Sequence, residues 1–148
     1  MQKTRENTKI PQSTQSISSN KKTQSILLID DSSENLELNK ILLELEGYEV
    51  FTAEGGKEAL IVLSEICEPN LILLDMQMSE MNGTEFLTLL EEKMPAIVKD
   101  VPIVFMTGMD EIPKSKASGV IHKPMDKNTF IMTVRNYIAL GLKTSYRH

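Results

Sequence analysis

The chain has 148 residues, 41% hydrophobic and 25% charged, with one cysteine and a formal net charge of −5, which suits one domain with a real core and not two domains plus a linker. No apolar stretch approaches the roughly 18 residues that a membrane-spanning helix needs, and the N-terminus lacks the continuous apolar segment of a secretory signal. The lone Cys67 excludes an internal disulfide, so a reducing, cytoplasmic compartment is expected.

Residues 1–24 are rich in Gln, Ser, Thr, Asn and Lys, and Lys3, Arg5, Lys9, Lys21 and Lys22 stand against Glu6 alone, so this segment carries +4 and the remainder −9. Its only sizeable apolar side chains are Met1, Ile10 and Ile17. Such a composition cannot offset the entropy of ordering, and a disordered basic tail is expected, with a docking peptide or electrostatic anchor as the alternative. The acidic remainder argues against nucleic acid as a main partner.

From Ser25 onward, short buried-type runs alternate with helical segments, the pattern of repeated βα units on a parallel sheet. A first strand near 25–30 precedes a helix over Glu34–Glu46, whose apolar positions Leu38, Ile41, Leu42 and Leu45 predict its buried stripe. Asp31 or Ser32 can cap its start, and Gly47 can end it. A second strand is predicted over Tyr48–Ala53, a helix over Gly56–Ile66, a third strand over Asn70–Leu74 and a helix over Gly83–Glu92. Pro95 and Pro102 punctuate a long connection to the fourth strand, 101–106. Between Thr107 and Val120 the apolar anchors are few and Pro113 intervenes, so the helix due there is short or absent. A fifth strand at Val120–Ile121 leads to a last helix from Asp126 with the stripe Phe130, Val134, Tyr137 and Ile138. The folded domain is expected over 25–141, with a C-terminal tail over 142–148.

The strands end in reactive side chains. The first ends at Asp30-Asp31, the third at Asp75, the fourth at Thr107 and the fifth at His122-Lys123-Pro124. In an open parallel sheet the carboxyl ends of the strands line the crevice where ligands bind, so these groups can converge. At about 4 to 5 Å and an effective dielectric near 20, each like-charged carboxylate pair costs on the order of 3 to 4 kcal/mol. A cation or a proton must relieve that repulsion. Oxygen ligands without matching Cys or His favour Mg²⁺ over zinc. Asp75 is a competent nucleophile toward phosphorus, Lys123 can supply a positive charge, and the Thr107 hydroxyl can donate a hydrogen bond to a phosphoryl oxygen.

These residues carry a family resemblance. Leu27-Leu28-Ile29-Asp30-Asp31, the run Asp75-Met76-Gln77-Met78-Ser79-Glu80-Met81-Asn82-Gly83, Thr107-Gly108 and Lys123-Pro124 together resemble the receiver domain of bacterial two-component response regulators, the CheY-like superfamily, over about residues 24–140. The resemblance implies a flavodoxin-like, doubly wound five-stranded α/β sheet in the order 2-1-3-4-5. It implies that Asp75 is the phosphoacceptor for a histidine kinase or histidine phosphotransfer protein. It assigns Mg²⁺ to Asp30, Asp31, Asp75 and the backbone carbonyl of Gln77, and gives Thr107 and Lys123 roles at the phosphate. A cis Lys123-Pro124 peptide is expected on the same ground. Two departures stand out. Ser79 replaces a proline common in the family, and Val120 replaces an aromatic that swings inward when the switch threonine meets the phosphate, so Val120 is expected not to report the phosphate in that way.

Plainer readings exist for each group. Asp75 can end a strand and cap a loop, Asp30 and Asp31 can complement a helix dipole, and Thr107 can be an ordinary strand residue. His122 should face away from Lys123 by strand alternation. Cys67 reads as a small buried hydrophobe, and Met76, Met78 and Met81 as loop packing. Three functions compete on these grounds. The first is a stand-alone receiver that catalyses only its own aspartyl phosphorylation and dephosphorylation, and whose output is contact with an unnamed protein target or onward transfer of the phosphate. The second is a phosphorylation-independent receiver-like binding module. The third is a phosphatase resembling haloacid dehalogenases, which ranks last because Gln77 stands where those enzymes carry an acid.

Overall fold

The computed structural model describes residues 23–110 and 114–146. The polar segment 1–24, apart from Thr23 and Gln24, lies outside the described residues, as does Pro113. Five parallel strands, β1 (Ser25–Ile29), β2 (Glu49–Ala53), β3 (Leu71–Asp75), β4 (Ile103–Thr107) and β5 (Gly119–His122), form one sheet in the order β2-β1-β3-β4-β5. Helices α1 (Ser33–Leu45), α2 (Gly56–Glu65), α3 (Gly83–Lys93), α4 (Pro95–Asp100) and α5 (Lys127–Tyr146) cover it. The flavodoxin-like order read from the sequence is the one found. No helix among the described residues is long and apolar enough to cross a membrane.

Strand alternation divides the core in two. Ile26, Leu28, Leu71, Leu73, Val104, Met106 and Ile121 pack on one side with Leu36 and Leu43 of α1 and Phe130, Val134 and Ile138 of α5. Leu27, Ile29, Ile72, Leu74, Ile103 and Phe105 pack on the other with Ala59 and Leu63 of α2 and Phe86, Leu87 and Leu90 of α3. Because both faces are covered, β1, β3 and β4 are buried at every position, which is why they read as unbroken apolar runs.

Helix α1 departs from the expected stripe. Leu36 and Leu43 are its buried residues, whereas Leu38, Ile41 and Leu45 are exposed. Leu36 and Leu38 lie about 200° apart around a helix, so the sequence offers two apolar faces, and the sheet takes the one carrying Leu36 and Leu43. Ser32 is the N-cap, its side chain accepting from the Asn35 N–H. At the other end Gly47 adopts φ +98°, with Tyr48 N–H donating to the Leu43 carbonyl and Gly47 N–H to the Glu44 carbonyl, a Schellman closure.

The connection before β4 contains α4, which begins with Pro95 at its first turn. Six residues are too few for a periodicity to register. After β4, by contrast, the described residues between Thr107 and Gly119 form no helix. The segment is tied down instead by a Lys116–Glu91 ion pair to α3 and by the Ser118 N–H donating to the Ile103 carbonyl at 2.6 Å. Ala117 and Val120 are half-buried against the second core. Helix α5 carries helical structure across position 141, where the sequence suggested a boundary.

Candidate functional site

Sheet register assembles the site. Ile29 pairs with Leu74 and Asp75 with Met106, so the residues leaving β1 and ending β3 lie side by side. Thr107 pairs with His122, and the Lys123 N–H donates to the Thr107 carbonyl at 2.7 Å, which brings Lys123 to the same edge. Asp30, Asp75 and Lys123 continue the parity of Leu28, Leu73 and Ile121. One oxygen each from Asp30, Asp31 and Asp75 lies within 4.8 Å of the others.

Burial sets the electrostatics. Asp30, Asp75 and Thr107 are buried, at 2%, 6% and 0% exposure, whereas Asp31 is exposed. Asp75 Oδ1 accepts from the Gln77 N–H at 3.2 Å and from Lys123 Nζ at 3.4 Å. Burial raises the Asp75 carboxyl above its ordinary pKa, the Gln77 N–H pulls it back, and the charge of neighbouring Asp30 pushes it further up against Lys123. Asp30 Oδ1 accepts from the Ser32 N–H at 2.9 Å. Asp30 Oδ2 is buried without a hydrogen-bond partner among the described residues. Such an atom calls for a cation or a proton. Three convergent carboxylates and an orphaned oxygen form a donor set that fits a hard divalent ion.

The loop after β3 is held closely. Gly83 N–H donates to the Met76 carbonyl at 2.9 Å. A Cβ on Gly83 would stand 3.1 Å from Met76 Cα and 3.2 Å from the Asp75 carbonyl oxygen, so glycine permits the approach. Asn82 opens α3 with a capping box to Glu85. Met76 is buried, and Met78 and Met81 pack partly buried on the second core, the loop-packing role read from the sequence. Ser79 N–H reaches across to Asp31 Oδ2 at 2.8 Å, a contact between backbone and side chain that the sequence gives no way to see.

Thr107 Oγ1 accepts from the Met109 N–H at 2.9 Å, an arrangement that leaves its own proton free to donate. The Lys123-Pro124 peptide is cis, as expected. His122 is exposed. Cys67 is exposed as well, contrary to the buried reading; it follows α2, whose inward positions end at Leu63.

Comparison with known proteins agrees with this geometry. The response regulator receiver domain family matches residues 26–135. The polar-differentiation response regulator DivK of Brucella ovis is 29% identical over 122 residues, which cover 78% of this chain and 97% of the relative. The chemotaxis protein CheY4 of Vibrio cholerae superposes with a TM-score of 0.69 at 28% identity, over 78% of this chain and 99% of that one. Response regulator TrrA from Thermotoga maritima, solved in complex with Mg²⁺–BeF, superposes with a TM-score of 0.67 at 28% identity over the same shares, 78% and 99%. Receiver domains bind Mg²⁺ at such an acidic cluster, and they are signalling proteins rather than classical enzymes. The chain belongs to the response regulator receiver domain family of two-component systems, whose work is phosphorylation-controlled signalling.

Proposed function

We infer that Asp75 accepts a phosphoryl group from a histidine kinase or phosphotransfer protein in a Mg²⁺-dependent reaction, and that its phosphorylation switches or relays a protein contact. The observation that carries this reading is the convergence of three carboxylates within 4.8 Å beside an ammonium 3.4 Å from Asp75. An Asp75 carboxylate oxygen forms the new P–O bond while the donor's P–N bond breaks and its electron pair leaves on the imidazole nitrogen. Lys123 holds positive charge against the phosphoryl oxygens, and the Thr107 hydroxyl donates to one of them. Asp30, Asp31, Asp75 and the Gln77 carbonyl would hold Mg²⁺, which supplies charge neutralisation at the phosphoryl group when bound.

Intact-mass analysis after incubation with acetyl phosphate tests the reading. The expected result is one added phosphoryl group that needs Mg²⁺, disappears with chelator and is missing in Asp75→Asn. One observation favours the alternative of a phosphorylation-independent binding module: position 120 carries Val120, half-buried against the second core, and no aromatic ring. Failure of the wild-type chain to gain a phosphoryl group would transfer the weight to that alternative.

A further inference from the structure

Residues 1–22 join the described fold at Thr23 and Gln24, beside the amino-terminal edge of the sheet. The junction is fixed there: the Gln24 carbonyl accepts the Glu49 N–H at 2.9 Å, and the Ser25 N–H donates to Asn70 Oδ1 at 2.8 Å. Thr23 and Gln24 border a groove of about 1030 Å³ whose charged lining is Glu46, Glu49, Glu68 and Arg135. Arg135 is committed to Glu46 at 3.2 Å. Among the described residues no cation pairs with Glu49 or Glu68, both of which are exposed. Desolvation by its surroundings and, after it, repulsion from Asp100 raise the Glu68 carboxyl above its ordinary pKa, as befits a carboxylate short of compensating charge.

The segment that starts at this groove has the opposite sign, with Lys3, Arg5, Lys9, Lys21 and Lys22 against Glu6. A chain advances at most about 3.6 Å per residue, so Lys21 and Lys22 stay beside the groove, and the tether makes their encounter with it intramolecular. Met1, Ile10 and Ile17 are the segment's only sizeable apolar side chains, so charge rather than apolar burial supplies the attraction. We propose that the basic N-terminal segment docks in cis on this groove, with Lys21 and Lys22 pairing with Glu49 and Glu68. Asp30 and Asp75 stand at the opposite ends of five-residue strands, about 16 Å away. Docking therefore leaves the acidic cluster open while it withholds the segment's positive charge from other anionic surfaces.

Trace acetylation of the full chain, read by peptide mass spectrometry, tests this, because only the uncharged amine reacts and a lysine paired with a carboxylate keeps its proton. Lys21 and Lys22 should react about threefold more slowly than Lys3 and Lys9, within the range that a neighbouring carboxylate imposes on an amine. Glu49→Gln/Glu68→Gln should close that gap. So should salt at about 1 M applied to the wild type, where the screening length falls to about 3 Å. Glu54→Gln/Glu80→Gln removes the same charge beside the opposite edge of the sheet and should leave the gap in place. Lys116, paired with Glu91, serves as the internal measure that each variant keeps its fold. Equal rates at all four lysines in the wild type would overturn the proposal, as would a gap that survives Glu49→Gln/Glu68→Gln or closes equally in Glu54→Gln/Glu80→Gln. A gap that fades on dilution would place the segment on a second copy and overturn docking in cis.

Discussion

The carboxyl ends of β1 and β3 and the segment that follows β4 border the same edge of the sheet, yet they are built differently. At the first, every carboxylate has a backbone N–H, two of the three are buried, and Gly83 closes the loop against the strand end. At the second, the residues described between Thr107 and Gly119 form no helix, and an exposed ion pair with a few loop bonds holds them to α3 and β4. The groups proposed to meet a phosphoryl oxygen need a rigid mounting, and buried parallel strands supply one. A segment proposed to respond to phosphorylation is expected to come from the less stable parts of a fold. Thr107 joins the two, since it ends β4 at that edge of the sheet and its hydroxyl oxygen accepts the Met109 N–H from the segment that follows.

Breaking this link should have the largest effect. In the wild type, phosphorylation is expected to change hydrogen exchange at the Met109 amide, because the Thr107 oxygen it donates to is drawn toward the phosphate. Lys123→Ala should abolish that change, with exchange at the unphosphorylated rate even in phosphorylated chains. An undiminished response would show that Lys123 is not the partner that couples site to segment. Stability should separate the two regions next. Leu73→Ala, fully buried at the centre of β3, should cost about 2 to 5 kcal/mol in urea unfolding. Val120→Ala, half-buried, should cost about 1 kcal/mol. Equal costs would mean that the β5 edge is as firmly built as the centre. The smallest effect is expected from Lys116→Ala: its pair with Glu91 is exposed, worth at most about 1 kcal/mol, so global stability should barely move while exchange quickens over 114–118.

What could be read from the sequence follows the same division. The ends of β1, β3 and β4 were visible because buried parallel strands leave continuous apolar runs that stop at a polar side chain, whereas β5, buried only at Ile121, showed just the pair Val120-Ile121 before His122-Lys123-Pro124. Helix α1 was placed correctly but turned wrongly, since Leu36–Leu43 and Leu38–Ile41–Leu45 both satisfy a 3.6-residue period and only the sheet decides between them. Helix α4 was missed because six residues hold no full pattern, and Pro95 was its one signal. The hydrogen bond from the Ser79 N–H to Asp31 was invisible for another reason: backbone donors do not appear in a sequence, and their partners are fixed by tertiary approach.

The measurement that bears most directly on the account is chemical location of the phosphoryl group. The chain is phosphorylated with acetyl phosphate and Mg²⁺, reduced with borohydride, which converts an aspartyl phosphate to homoserine, and mapped by peptide mass spectrometry. The account predicts homoserine at position 75 alone. Conversion at Asp30 or Asp31, or unconverted Asp75 in a chain that carries phosphate, would contradict it.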